Sequence, residues 1–304
     1  MSRVTSPAFA LLIVAAAAVG LAYGLQTTGS SREHGIPAAK VQDGTWSPPA
    51  LNRRATKGLV WAVGDGPDGG AAAAAVAGQI AKGRPALLLY LGDVYENGTA
   101  QEFARRYAPL YGHLAGVTAP TPGNHDWPQS ASGYDPYWKK ASGKPVPSYY
   151  SFNIAGWQII SLNSEIDHGT GSAQYRWLRR HLGGRTTCRL AFWHRPRYSA
   201  GLVHGDASDI APLWNALAGH AALVLSGHEH NSQRLDPRQG IVELVAGAGG
   251  HGLYRLDSTY PGLAFADDTH YGALRLRLRR GQARIAFVAA NGSILDSSTV
   301  RCGP

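Results

Sequence analysis

The sequence predicts an α/β fold built on parallel strands, and three observations predict it. Short continuous apolar runs alternate with segments of helical period from residue 59 to about residue 225, the pattern of βαβ units. Several of those runs stop at Gly-Asp or at a His, the position where open α/β sheets carry their binding groups. From Ile241 onward the runs continue without helical segments between them, so the C-terminal part reads as strands alone.

Taken in order, Leu59-Val60-Trp61-Ala62-Val63 is a short buried strand ending at Gly64-Asp65. Ala71 to Ala81 is a strong helix former stopped by Gly83, and Ala86 to Leu91 is the next apolar run, ending at Gly92-Asp93. Thr99-Ala100-Gln101-Glu102 spells a capping box ahead of Phe103, Tyr107, Leu110 and Tyr111 at helical spacing, and Pro109 is expected to end or kink that helix early. An aromatic, Pro-bearing stretch up to Ser148 reads as irregular. Tyr149 to Ile154 and Trp157 to Leu162 read as two strands joined at Ala155-Gly156. Ser172 caps a helix with Tyr175, Leu178 and Leu182 inward and Gly183 at its end. Arg189 to Trp193 is a strand delivering His194, Ile210 to Leu217 a helix, and Ala221 to Leu225 a strand delivering Gly227-His228. The last strands are Ile241 to Ala246, Ala273 to Leu278, Ala283 to Ala289 and a piece around Ile294 to Val300.

A chain of 304 residues with 44% hydrophobic content can bury a sizeable core, and a charged fraction of 16% argues against disorder. The net charge of +9 admits two readings, a basic surface that meets anionic surfaces or the steering of anionic small molecules. None of the Arg clusters, Arg179-Arg180, Arg195 with Arg197, or the Arg275 to Arg280 run, spells a nucleic-acid motif.

Residues 1–25 read as an export signal or an uncleaved membrane anchor. Arg3 precedes a charge-free apolar stretch from Ala8 to Leu25, longer than a usual signal core, and Ala22-Tyr23-Gly24 offers a small-x-small cleavage site. Either reading places the remainder outside the cytoplasm, secreted or tethered to the membrane through this segment. Residues 26–57 are polar, bear Gly, Ser and Pro, and show no periodicity, which reads as a flexible linker before a folded unit at 58–304. The two cysteines, Cys188 and Cys302, are expected to form a disulfide in an exported protein.

Five blocks carry the chemistry: Asp65, Gly92-Asp93, Gly123-Asn124-His125-Asp126, Trp193-His194 and Gly227-His228-Glu229-His230. Alone, a His after a strand reads as a structural histidine and an Asp after Gly as a turn or helix cap. Together and in this order, they resemble the calcineurin-like metallophosphoesterases, most nearly the purple acid phosphatase branch, from roughly residue 58 to the C-terminus. The resemblance implies a four-layer αββα sandwich of two mixed sheets. It also implies phosphomonoester hydrolysis by a hydroxide bridging two metal ions, with a phosphorylated small molecule as substrate. Matched residue by residue, Asp93 bridges the metals, Asp65 and His230 bind the first, and Asn124, His194 and His228 the second. Carboxylate, imidazole and amide ligands suit Fe, Zn or Mn. His228 and His230 are two apart and would face the same way from an extended segment, while Glu229 would point away into solvent or a salt bridge.

His125 is the expected contact to the phosphoryl group or the leaving oxygen, with Asp126 orienting its imidazole and His204 meeting substrate. Arg195 and Arg197 could clamp phosphate, and the Gly247 to Gly252 loop with His251 could line the site. Other readings are a phosphodiesterase or nucleotide hydrolase on the same metals, and a non-catalytic extracytoplasmic binding module. One departure stands out. The purple enzymes place a metal-binding Tyr three residues after the bridging Asp, whereas here Glu96 is third and Tyr95 second. In an extended chain a one-residue offset reverses the side chain, so the phenol is expected to turn off the metals, unless the Glu96-Asn97-Gly98 turn absorbs the offset.

Overall fold

The computed structural model describes residues 44–52, 54–183 and 188–302. The expected export segment 1–25 and residues 26–43 of the expected linker lie outside the described residues. Among the described residues no helix is long and apolar enough to cross a membrane.

In chain order the elements are β1 (Lys57–Val63), α1 (Ala71–Gly83), β2 (Leu87–Tyr90), α2 (Ala100–Glu102), a π turn (Phe103–Tyr107), α3 (Ala108–Tyr111) and β3 (Thr118–Pro120). There follow α4 (Tyr134–Ser142), β4 (Tyr150–Ile154), β5 (Trp157–Ser161), α5 (Ala173–His181), β6 (Arg189–Phe192), α6 (Ala211–Leu217), β7 (Leu223–Ser226) and β8 (Ser232–Leu235). The last are β9 (Val242–Ala246), β10 (Leu263–Asp267), β11 (Gly272–Arg279), β12 (Gln282–Ala289) and β13 (Ile294–Arg301).

The strands form two sheets, one in the order β13-β12-β11-β1-β2-β3 and the other β10-β8-β9-β7-β6-β5-β4. In the first, β1, β2 and β3 are parallel and the rest antiparallel; in the second, β5, β6, β7 and β9 are parallel. Alternate side chains of both sheets meet in a central apolar layer that includes Val60, Leu89, Leu276, Leu190, Phe192 and Leu225. The outer face of the first sheet is covered by α1, the π turn and α4 through Val76, Phe103, Tyr107 and Trp138; that of the second by α5 and α6 through Trp177, Leu213 and Trp214. Two mixed sheets between helical layers are the expected αββα arrangement, and each run of parallel strands ends on the same side, which is where the five blocks lie.

Local departures from the sequence reading have local causes. Pro109 does not stop its helix: the chain turns through the wider π geometry at 103–107, so Pro109 falls in the first turn of α3, where no N–H is required of it. The stretch read as irregular contains α4, which tolerates Pro136 in its own first turn and buries Tyr134 and Trp138. The short strands β3, β8 and β10 were too brief or too polar to be read from alternation. Residues 44–52 and 54–57 of the expected linker belong to the packed domain. Trp46 is 3% exposed and meets the Tyr150 ring at 4.8 Å, Thr45 bridges Ser151, and Ala50 N–H donates to Gly116 O at 2.7 Å, so apolar burial and backbone bonds together order a polar segment.

Cys188 and Cys302 form a disulfide across a separation of 114 residues, tying the start of β6 in one sheet to the chain just after β13 in the other. A closed loop of that size restricts the unfolded chain strongly. Replacing both cysteines by Ser is expected to lower the unfolding free energy by about 2–4 kcal/mol, measured by urea denaturation of oxidised protein. An unchanged midpoint would show that the bridge does not restrict the unfolded state.

Candidate metal centre

Each block follows a strand: Asp65 after β1, Asp93 after β2, Asn124 after β3, His194 after β6 and His228 after β7. The chain turns sharply at these points. Asp65, Asp93 and His228 hold positive φ values of 60°, 68° and 68°, a left-handed conformation that persists for a non-glycine residue only where its surroundings enforce it. Gly92, at φ 103°, has no room for a side chain, since a Cβ there would lie 2.7 Å from both His194 Nδ1 and the Gly123 nitrogen. The two sheets thus approach backbone to ring.

The expected ligands converge. His194 Nε2 lies 3.2 Å from Asp93 Oδ2, 3.0 Å from Asn124 Oδ1 and 3.1 Å from His228 Nδ1. Its Nδ1–H donates to the Leu91 carbonyl at 2.8 Å, so one proton at most is left to serve three partners. His230 likewise donates Nδ1–H to Gly252 O at 2.7 Å and turns Nε2 inward, 3.7 Å from Asp65 Oδ1. Ligand atoms of Asp93, His194 and His228 all lie within 4.8 Å of one another, and all three residues are buried. Polar atoms aimed at common points, with second ring nitrogens tied to carbonyls, are what a metal site requires of its ligands.

Burial drives the electrostatics. It pushes the Asp65 carboxyl up to about 8, and with the neighbouring Asp93 charge it pushes Asp126 up to about 7. At Asp93 burial is outweighed by the charge and hydrogen bond of His194, which hold the carboxyl below its ordinary range. Burial also opposes charge on His194, but the Asp93 carboxylate prevails and raises it to about 10. Burial, with the His194 charge, drives His228 far below its ordinary value, and burial takes His230 down to about 4. The site therefore keeps the His228 and His230 imidazoles neutral beside the ionised Asp93 carboxylate, while His194 and Asp65 are held protonated and would each give up a proton on binding a cation.

Tyr95 corrects the sequence reading. Its hydroxyl enters the site, 2.7 Å from His230 Nε2, 3.0 Å from Asp65 Oδ1 and 3.4 Å from Asp93 Oδ2. Reversal of the phenol would require an extended chain beyond Asp93. Instead the chain folds into a tight loop in which Val94 N donates to Asp126, Tyr95 N to Pro67 O and Gly98 N to Val94 O, so alternation does not apply.

Asp126 also differs from expectation. It does not orient His125, whose Nδ1 bonds the Glu96 carbonyl at 2.6 Å. Asp126 is fully buried and accepts the main-chain N–H groups of Asp93 at 2.7 Å, Val94 at 3.0 Å and Gly123 at 3.0 Å. It joins the two loops that carry Asp93 and Asn124. Glu229 is likewise buried and not solvated: its carboxylate accepts the N–H groups of His204 and Gly205 at 2.7 and 2.6 Å. The His228–His230 segment is not extended; it turns through Glu229 N to Gly227 O and Asn231 N to Glu229 O bonds, and both rings still face the site.

His204 sits at the rim, its ring stacked on His228 at 3.9 Å. Arg195 is spent on a two-pronged ion pair with Glu165, at 2.9 and 3.0 Å, and Arg197 lies over the Tyr198 ring, so neither clamps a ligand at the centre. Two further aromatic neighbours complete the wall: His251 stacks on Tyr95 at 3.9 Å and Tyr254 on His230 at 3.8 Å. The Gly-rich loop after β9 signalled the first; nothing in the sequence signalled the second.

Removing the Asp126 carboxylate leaves three buried N–H groups without an acceptor, at about 1–3 kcal/mol each. Asp126→Ala is expected to destabilise the fold by about 3 kcal/mol or more, whether or not metal is supplied. A urea midpoint matching the parent protein would remove Asp126 from this role.

A family model described as calcineurin-like phosphoesterase matches residues 59–232. The chain is 32% identical over 172 residues to a probable cyclic nucleotide phosphodiesterase of Synechococcus sp., covering 53% of this chain and 64% of that protein. It is 27% identical over 160 residues to probable purple acid phosphatase 20 of Arabidopsis thaliana, covering 43% of this chain and 38% of that one. The chain thus spans less than two thirds of either relative. Among solved structures, purple acid phosphatase PPD1 from yellow lupin (Lupinus luteus) seeds superposes with a TM-score of 0.67 at 15% identity, over 81% of this chain and 54% of that one, which shows the shared fold. With the model match extending over more than half of its length and through every one of the five blocks up to His230, the chain belongs to the calcineurin-like phosphoesterase family.

Proposed function

We propose that this protein is a metal-dependent phosphoesterase whose site takes two ions, Fe, Zn or Mn, and that its substrates are phosphomonoesters. The observation that carries this reading is the convergence of Asp65, Asp93, Asn124, His194, His228 and His230 on one space from both sheets. Oxygen and imidazole donors without a thiolate suit those metals. Asp93, whose Oδ2 lies near both His194 and Tyr95, is assigned to both ions; Asp65, His230 and Tyr95 to the first; Asn124, His194 and His228 to the second.

Metal ions held there polarise phosphoryl oxygens and lower the pKa of water. The chain's own groups do the rest. His125 donates Nδ1–H to the Glu96 carbonyl, which turns Nε2 to the site; in the doubly protonated imidazolium form Nε2–H passes its proton to the departing alcohol and the ring is left neutral. His204, kept below its ordinary pKa by burial and by the His194 charge, is a neutral hydrogen-bonding wall for the phosphoryl group. Asp126 positions the loops and touches no substrate.

Likeness to a protein named as a probable cyclic nucleotide phosphodiesterase supports a second reading, diester hydrolysis at the same centre. Export, with residues 1–25 as signal or anchor, is part of the proposal and is supported by the Cys188–Cys302 disulfide, a bond kept in oxidising compartments.

Metal analysis of purified protein, with turnover of p-nitrophenyl phosphate against bis(p-nitrophenyl) phosphate, tests both readings. Preference for the monoester is expected. Asp93→Ala should lose both metals and all turnover; two metals retained per chain would sink its assignment. His125→Ala should keep its metals and slow hydrolysis on the order of 10²–10⁴-fold for esters of poor leaving groups, with a smaller loss for good ones. An equal loss across leaving groups would make His125 a phosphate-binding residue instead.

A further inference from the structure

The outer face of the first sheet is only partly roofed by helices. Three same-face rungs cross β1, β11, β12 and β13 from the edge of that cover, where Trp61 and Ala286 pack with α1, outward: Trp61–Arg275–Ala286–Ser297, Leu59–Arg277–Arg284–Thr299 and Lys57–Arg279–Gln282–Arg301. Six cations stand on these rungs and no carboxylate does. Arg277 and Arg284 are direct cross-strand partners, a like-charge pairing that weakens a sheet. Among the described residues none of the six has an acidic partner, although Arg106, Arg195, Arg234 and Arg255 each find one elsewhere. The rungs enclose a groove of about 420 Å³ in which Arg275, Arg277 and Arg284 stand beside the hydroxyl-bearing Ser297 and Thr299, with Ala286 and Ile294 also in its lining. Uncompensated charge beside hydroxyl donors is chemistry suited to phosphate oxygens.

We propose that this groove binds a linear phosphate polymer, at a place separate from the metal centre. A concave groove with its arginines in a row across β11 and β12 favours a narrow anionic chain over a flat lipid surface. The one ring on these rungs, Trp61, is buried, so no platform exists for stacking bases, which favours a polymer of phosphate alone over single-stranded nucleic acid. The proposal is independent of the catalytic reading, because it invokes none of the residues of that site.

The test is titration of the full-length chain with fluorescently labelled inorganic polyphosphate, followed by anisotropy over a series of salt concentrations. Three arginines predict a slope of log affinity against log salt of about −2 to −3. Arg277→Glu with Arg284→Glu should weaken binding at least tenfold at unchanged thermal midpoint, metal content and p-nitrophenyl phosphate turnover. The milder Arg277→Gln with Arg284→Gln, which removes charge without reversing it, should give an intermediate loss. Asp93→Ala should bind as the parent does. Equal binding by the charge-reversed and parent proteins overturns the proposal, as does loss of binding in Asp93→Ala, which would move the site to the metal centre. Tighter binding of a single-stranded oligonucleotide of equal charge, or binding of anionic vesicles without polyphosphate, also overturns it.

Discussion

The contact on which the rest of the centre depends is the one between Asp93 and His194, 3.2 Å apart and both shielded from water. Each comes from a different sheet, so the pair joins the two halves of the sandwich at the ends of their parallel strands. Neither group is stable alone there. Burial disfavours charge on both, and only their mutual attraction restores it, lowering the carboxyl and raising the imidazole. A second bond network then fixes Asp93 in place: its nitrogen donates to Asp126, its Oδ1 accepts the His125 N–H and its carbonyl accepts the Tyr90 hydroxyl at 2.6 Å. Buried like this, the carboxylate has no freedom to turn away from its neighbours.

That rigidity is built from strained and crowded backbone. Positive φ at Asp65, Asp93 and His228 costs each residue conformational energy that tertiary bonds must offset. At Asp65 and His228 the two strains support each other, since the His228 N–H donates to Asp65 Oδ2 at 2.8 Å. Gly123 has no side chain because a Cβ there would overlap the Asp93 carboxylate. The glycine of the tetrad is a space for the neighbouring loop's ligand, beyond its use as a turn former.

The loop from Arg195 to Asp206, which carries His204 to the rim, packs Tyr198 against Trp214 and is otherwise held by side-chain acceptors, three of them buried and the fourth, Asp206, its own. Glu243 takes the N–H groups of Arg197 and Tyr198, Gln233 that of Ala200, Asp206 that of Ser199, and Glu229 those of His204 and Gly205. Burial raises the Glu243 carboxyl to about 8 and also raises Glu229, so these groups are kept inside for shape. Leu202 and Val203, 65% and 53% exposed, project from the tip of the same loop beside His204, beyond its buried residues Ser199 and Ala200.

What the sequence by itself determined was the alternation of strands and helices and the polar residues that close the parallel strands; the αββα layering and the ligand set came through the family resemblance those blocks carry. Apolar run length, helical period and the capping box at Thr99 are local properties, and the polar residue at the end of each parallel strand follows from where such strands place their loops. The Cys188–Cys302 pairing was legible from count and compartment. Only the tertiary structure decided which way the connecting loops turn. Tyr95 points into the centre because Val94 is caught by Asp126, a residue more than thirty positions away, and no periodicity in residues 93–98 encodes that bond. Asp126 and Glu229 serve the backbone because both are buried where only N–H groups reach them, and Trp46 folds a polar segment onto the domain by meeting Tyr150 from a distant strand. These outcomes rest on long-range hydrogen bonds and burial, which a linear reading cannot assign before the sheets are in place.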